Sequence, residues 1–243
     1  MKILILMAVT IPSALLSDGR ASVAAAVGGS LKLATKYQVE NVRNVFIQKF
    51  QMEWPTTLVE WDALNKGDKI YWAGKIWDDH YSDVISIINL ANDCNVPSVR
   101  PAAFYWLFSL LKRSEYHYDK VLPLLSHQDI QRLLVGGLAI DKFLLNAHVD
   151  RMRIAEWHCQ DDETPCGACH LDVSLWWGDQ LSYLSIQGPL EALKHAIEEL
   201  KPESEPGISF LIGNSCKKEL AHRLRNLRIE MFNSLGFYFS LPA

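Results

Sequence analysis

Apolar residues along this chain recur at helical spacing, and one arrangement of them occurs twice. The first copy runs from Leu31 to Arg43 (LKLATKYQVENVR) and the second from Ile88 to Arg100 (INLANDCNVPSVR). Leu33 and Leu90 set the offset at 57 residues, and Leu, Ala, Val, Val and Arg recur at five of the thirteen aligned positions. A polar amide, Gln38 or Asn95, precedes the first shared Val. Leu31, Ala34 and Tyr37 share one helical face in the first copy, as do Ile88, Ala91 and Cys94 in the second. The small Ala in mid-helix admits a neighbouring backbone. Pro97 suits the first position of a new helix, where its missing N–H costs nothing. Val42, Val45 and Phe46 then restart the stripe in one copy, and Val99, Ala103 and Trp106 in the other. Both copies therefore predict helix, tight turn, helix. A helical hairpin cannot bury its apolar face alone, so the two hairpins are expected to stack on each other.

The rest of the chain extends this pattern. Ser30 is placed to cap the first helix, whose partner runs to about Met52 before Trp54-Pro55 stops it, since the residue before Pro is pushed out of the α region. Residues 53–81 read as a linker with a short helix from Thr57 to Leu64. Ser82-Asp83 is placed to cap the second copy. The segment from Pro97 to Lys112 is apolar nearly all round and should be the most buried helix. Ser126-x-x-Asp129 resembles a capping box, with Ile130, Leu133 and Leu134 following at helical spacing. Gly136-Gly137 is expected to end that helix, and Leu138 to Trp157 to form another through Ile140, Leu144 and Ala147. Residues 158–187 break the period and contain Trp176-Trp177. Gly188-Pro189 starts a helix whose Leu190, Leu193, Ile197 and Leu200 share a face. An acidic, Pro-rich loop from Lys201 to Gly207 follows. The last helix spans Asn214 to Ser234, with Leu220, Leu224, Leu227 and Met231 on one side, and Phe237 to Phe239 folds back. The fold class is mainly α: helical hairpins packed into an irregular α-helical domain with a Cys-containing loop. Three segments result: an apolar lead-in (1–30), the hairpin pair (31–112) and a C-terminal helical lobe (113–243).

These segments also carry a resemblance. LKLATKYQVENVR, then WPTTLVEWDA (Trp54 to Ala63), then INLANDCNVPSVRPAAFYWL (Ile88 to Leu107), resembles the post-BTB region of fungal BTB/POZ domain-containing proteins. LSHQDIQRLLVGG (Leu125 to Gly137) and FNSLGFYFSLP (Phe232 to Pro242) look like later segments of the same family. The first segment would then be the closing helices of a BTB fold and the remainder its following helical region. The resemblance implies a non-catalytic protein-interaction or scaffold role, with one or more protein partners. Some BTB proteins act as substrate adaptors of cullin-type ubiquitin ligases or as transcription co-regulators. A BTB fold takes on the order of a hundred residues, whereas thirty precede Leu31. The expectation is a chain with most of that fold missing, and oligomerisation only where a BTB portion exists.

Composition bounds the partners more than the fold. Apolar residues make up 49% and charged residues 21% of 243 positions, which suits one large globular domain or two small ones. A net charge of −4 gives no general attraction to nucleic acid or anionic membrane, and neither is expected as a partner. No run approaches a transmembrane length. Eight Trp read as gap-fillers between helices, or as a protein-binding surface. Residues 1–26, with Lys2, the apolar run from Ile3 to Val9 and the Ala-rich stretch to Ala26, resemble a secretory signal. Five Cys, an odd number, and the lack of any Asn-x-Ser/Thr site favour an intracellular protein instead. The alternative is a small secreted helical protein with disulfides.

Candidate chemistry is confined to a few places. Cys166-x-x-Cys169, flanked by Pro165 and Gly167, is the tight knuckle that structural zinc uses. Cys159 or His158 would supply a third ligand, and His170 or Cys216 a fourth. Free structural thiols are the competing reading, because only one CxxC is present. A redox role lacks the strand-then-helix setting it needs. Asp161-Asp162-Glu163 and Asp78-Asp79-His80 read as solvated loops. Lys217, Lys218, His222, Arg223, Arg225 and Arg228 make the last helix basic on its polar face, either for phosphate contact or for pairing with Glu198, Glu199, Glu203 and Glu205. No GxSxG, HExxH, P-loop or GxGxxG occurs, so no residue suggests an enzyme, although a helical enzyme without such a motif stays a third class.

Overall fold

The computed structural model describes residues 23–63, 77–113, 118–151, 173, 175–178, 180, 188–201 and 212–241. Among them there is no strand, and the chain is built from helices and short connections. The first hairpin is α1 (Val23–Lys36) and α2 (Glu40–Glu53); the second is α3 (Trp77–Asp93) and α4 (Arg100–Arg113), with a 3-10 turn over Pro97–Val99 leading into α4. Then come α5 (Tyr118–Val121), α6 (His127–Arg151), α7 (Pro189–Glu199), α8 (Asn214–Asn233) and α9 (Leu235–Tyr238).

The duplication is present down to individual hydrogen bonds. In the first hairpin the Val39 N–H donates to Ala34 O at 3.0 Å and the Gln38 N–H to Thr35 O at 3.3 Å. In the second the Val96 N–H donates to Ala91 O at 2.9 Å and the Asn95 N–H to Asn92 O at 3.3 Å. Each pair is a Schellman closure of the preceding helix, which needs a left-handed residue just past the helix end. Gln38 and Asn95 supply it, at φ 52° and 51°. The amides that the sequence aligns are thus the two residues that reverse the chain.

The hairpins share one interior. α1 packs against both α2 and α3. Val27, Leu31 and Ala34 on α1 are buried with Ile88, Leu90, Ala91 and Cys94 from the second hairpin. The Leu90 side chain lies over Gly28, 3.5 Å from where a Cβ would stand. Polar contacts bind the pair at its rim. The Arg43 guanidinium on α2 donates to the carbonyls of Cys94 at 2.9 Å and Asn95 at 3.3 Å. Gln51 Nε2 donates to Ser98 Oγ at 2.7 Å, and Lys32 pairs with Asp93 at 2.7 Å. So the shared Arg of the first copy closes the turn of the second. Its counterpart, Arg100, is buried instead, and its Nε has no hydrogen-bond acceptor among the described residues. Burial pushes its pKa down, with Arg132 adding to the effect and Asp129 opposing it.

α4 is deeply buried, as its all-round apolar sequence predicts: Phe104, Tyr105 and Leu107 are fully buried. Trp61 meets Tyr105 and Trp106 edge-on, both at 5.2 Å between ring centroids, and Trp54 meets Trp106 at 6.1 Å. The Trp-Pro segment after α2 is thereby pinned to α4, so these tryptophans fill gaps. Residues 58–63 are helical, opened by a reciprocal capping box in which the Glu60 N–H donates to Thr57 Oγ1 at 3.2 Å and the Thr57 N–H to Glu60 Oε2 at 3.0 Å.

Four expectations at the residue level are corrected. α1 starts at Val23 and runs through Ser30, which therefore caps nothing, because Val27 and Gly28 are already buried. α3 likewise starts at Trp77, which leaves Ser82 and Asp83 inside it. Gly136-Gly137 does not end a helix: α6 is continuous from His127 to Arg151. A Cβ on Gly137 would come within 2.6 Å of the Phe108 ring, so the absent side chain admits Phe108. Tyr37 and Val45 are 66% and 57% exposed, so the buried stripe of the first hairpin is narrower than its apolar sequence suggests.

The chain divides into two compact units. Unit one comprises residues 1–107, 116–132 and 239–243; unit two comprises 108–115 and 133–238. In unit one, Asp129 near the start of α6 is 1% exposed. It accepts from Ser126 Oγ at 2.6 Å, Asn92 Nδ2 at 3.0 Å and Arg132 at 2.9 Å. Phe239 is fully buried there, against Phe104 at 5.5 Å. In unit two, Ile140, Leu144 and Ala147 of α6 face inward, whereas Leu134, Leu138 and Leu145 stay exposed on its other face. Phe143 meets Tyr238, and Phe237 is 84% exposed, so the tail folds back only in part.

Candidate functional site

α7 and α8 form the hairpin of unit two on which the charged residues gather. Pro189 begins α7 at a position that needs no N–H donor. The approach to it is tight: a Cβ on Gly188 would meet Glu191 and the Ser109 hydroxyl. Leu190, Leu193 and Leu200 are buried, and they meet Leu220, Leu224, Leu227 and Met231, the buried stripe of α8. This is the face the sequence predicts for both helices.

The basic residues of α8 separate into two groups. Arg228 is 6% exposed, and its Nε donates to the Leu190 carbonyl at 2.8 Å, which ties the two helices together. Arg223 pairs with Glu219 at 2.7 Å, and His222 bonds Asn226 at 3.0 Å. These three act within the fold. Lys217, Lys218 and Arg225 instead line an open groove between α7 and α8, together with Lys201 just past the end of α7. The groove has a volume of about 310 Å³, and its floor is Ile197, Leu200 and Ala221. Asn214 also lines it, and among the described residues no carboxylate does.

The electrostatics of that groove are one-sided. None of its four cations is in an ion pair among the described residues, whereas Lys32, Arg43, Lys112, Arg132 and Arg223 all are. None of the four pairs with Glu199, and Glu203 and Glu205 of the expected pairing lie outside the described residues. Glu199 Oε2 accepts from Trp176 Nε1 at 3.1 Å and Gln180 Nε2 at 2.9 Å, and its other oxygen faces His195 at 3.4 Å. Gly213 caps α8 without a side-chain hydrogen bond, and the first turn of the helix has no acidic residue. Cations near a helix N-terminus oppose its dipole, so Lys217 and Lys218 do not sit there to stabilise the helix. Lys201 carries no motif of its own and is missed by sequence; its one signal is a cation at the C-terminal end of a helix, where the dipole favours it.

The metal expectation meets the structure at one residue. His158, Cys159, Cys166, Cys169 and His170 lie outside the described residues, as do Asp161, Asp162 and Glu163. Cys216 is a buried thiol on α8, 5% exposed. Among the described residues no group of three His, Cys, Asp or Glu is arranged to hold a metal ion. Cys94 is the other described thiol, and burial pushes its pKa up. No described helix is long and apolar enough to cross a membrane. No family model, no curated protein and no solved structure matches this chain.

Proposed function

We propose that this chain is a non-catalytic protein-interaction or scaffold module, and that it meets a partner through the groove between α7 and α8. The single observation that carries this reading is a patch of four cations, none in an ion pair among the described residues, beside an apolar floor. An apolar centre that can be desolvated, inside a polar rim, is the anatomy of a protein contact. The exposed leucines of α6 add apolar surface in the same unit. The BTB/POZ resemblance supports the same kind of role, and the matched turns at Gln38 and Asn95 support the duplicated hairpins on which that resemblance rests.

The test is site-specific photo-crosslinking in a fungal cell extract. A photoreactive amino acid in place of Lys218 should capture a discrete protein that the same group in place of Val59, 79% exposed and in the other unit, does not. Equal or no protein capture at the two positions contradicts the interaction reading. The family part is tested separately by reading the genomic DNA upstream of Met1: an in-frame BTB-like stretch supports it, and unrelated sequence opposes it.

A further inference from the structure

From the lining of the groove we infer the chemistry of its occupant: an acidic, extended stretch of a protein partner carrying one aliphatic side chain. This rests on the interaction reading above and deepens it. Lys201, Lys217, Lys218 and Arg225 line the groove, and among the described residues no carboxylate lines it with them. Complementary charge on the occupant speeds encounter, and it raises the cost of binding a wrong, cationic partner. The floor of Ile197, Leu200 and Ala221 offers no donor or acceptor from its side chains, so the group that reaches it must be apolar. At about 310 Å³ the space is at the small end of binding clefts, ~300–1000 Å³, which suits one anchor side chain rather than several.

A nucleic acid fits these residues less well. Among the described residues no aromatic ring lines the groove for a base to stack on, and a phosphodiester strand has nothing to place on an aliphatic floor. The chain as a whole is acidic, at −4, so it lacks the broad positive field that phosphate binding uses. The cations are local, and they lie beside an apolar spot.

The experiment is fluorescence anisotropy on the full chain with a labelled twelve-residue peptide of Glu and Asp around a central Leu. Expected is saturable binding that weakens when salt is raised, because the rim charges are exposed and screened. Changing the central Leu to Ser should weaken it about tenfold or more, the size of burying one aliphatic side chain. Lys217→Gln with Lys218→Gln should weaken it at least tenfold, while Lys217→Arg with Lys218→Arg retains binding; circular dichroism checks that both variants keep their helices. The inference is overturned if the double Gln variant binds as tightly as the parent. It is also overturned if a peptide with Gln for every acidic residue binds equally, or if a single-stranded oligonucleotide of equal charge binds as well or better. Protein capture at position 218 with no acidic-peptide binding sinks this inference alone; loss of both sinks the interaction reading with it.

Discussion

Single residues divide between those that serve the local backbone and those that serve a neighbour, and the glycines show the difference. Gly29 is exposed within α1, with open space where a Cβ would be, so it only weakens its helix. Gly29→Ala should stabilise the chain by about 0.5–1 kcal/mol. Gly137 is also inside a helix, yet Phe108 occupies its side-chain space. Gly137→Ala gains the same helix propensity but must displace that ring, and overpacking costs about 1–3 kcal/mol. The two substitutions should therefore move the melting temperature in opposite directions, which thermal unfolding by circular dichroism measures. The sequence alone places neither glycine inside a helix: Gly29 precedes the expected Ser30 cap, and Gly137 is expected to end a helix. What separates them is a ring 29 positions away in the chain, which periodicity does not encode. Arg43 and Arg100 teach the same lesson: one residue at one repeat position clamps a turn, and the other is buried beside Asp129 and Arg132.

At the scale of elements, the helices with an apolar stripe were legible and their ends were not. α8 spans the predicted residues, and its stripe of Leu220, Leu224, Leu227 and Met231 is buried as read, because one face of a long helix must find a partner. α1 and α3 begin earlier than the capping residues suggested, because tertiary burial at Val27 and Gly28 extends a helix through Ser30. Caps that operate are local and testable. The capping box before residues 58–63 holds the Glu60 carboxyl below the usual glutamate range, chiefly through the Thr56 N–H at 2.8 Å. A folded pKa below the unfolded one stabilises the fold above the usual glutamate range. That contribution is lost as pH falls through the folded value. Glu60→Gln should accordingly lower the melting temperature near pH 7, and the gap to the parent should close once the pH is well below the usual glutamate range. A gap that persists at low pH would assign Glu60 a role other than this charge-assisted cap. The groove was half legible for the same reason as the helices. Lys217, Lys218 and Arg225 stood out as basic positions, but their separation from Arg223 and Arg228 depends on which face of α8 each occupies once α7 is in place.

For the molecule as a whole, the duplication organises the first unit, and charge organises the candidate site in the second. The mainly α architecture followed from periodicity because nearly every long apolar pattern had period 3.6. The sequence marks a hairpin pair (31–112) and a C-terminal lobe (113–243), but not the interleaving of the two compact units along the chain. Both α4 and α6 contribute residues to each unit, so no composition break or linker marks the boundary. The account rests first on the two hairpins burying one another, and native-state hydrogen exchange on Ala91→Leu tests that most directly. Ala91 is fully buried where α3 meets α1, so the larger side chain should cost about 1–3 kcal/mol. If the hairpins form one cooperative interior, amide protection in α1 and α2 should fall together with that in α3 and α4, by about fivefold to about 150-fold. Loss of protection confined to α3 and α4, with α1 and α2 unchanged, would contradict it.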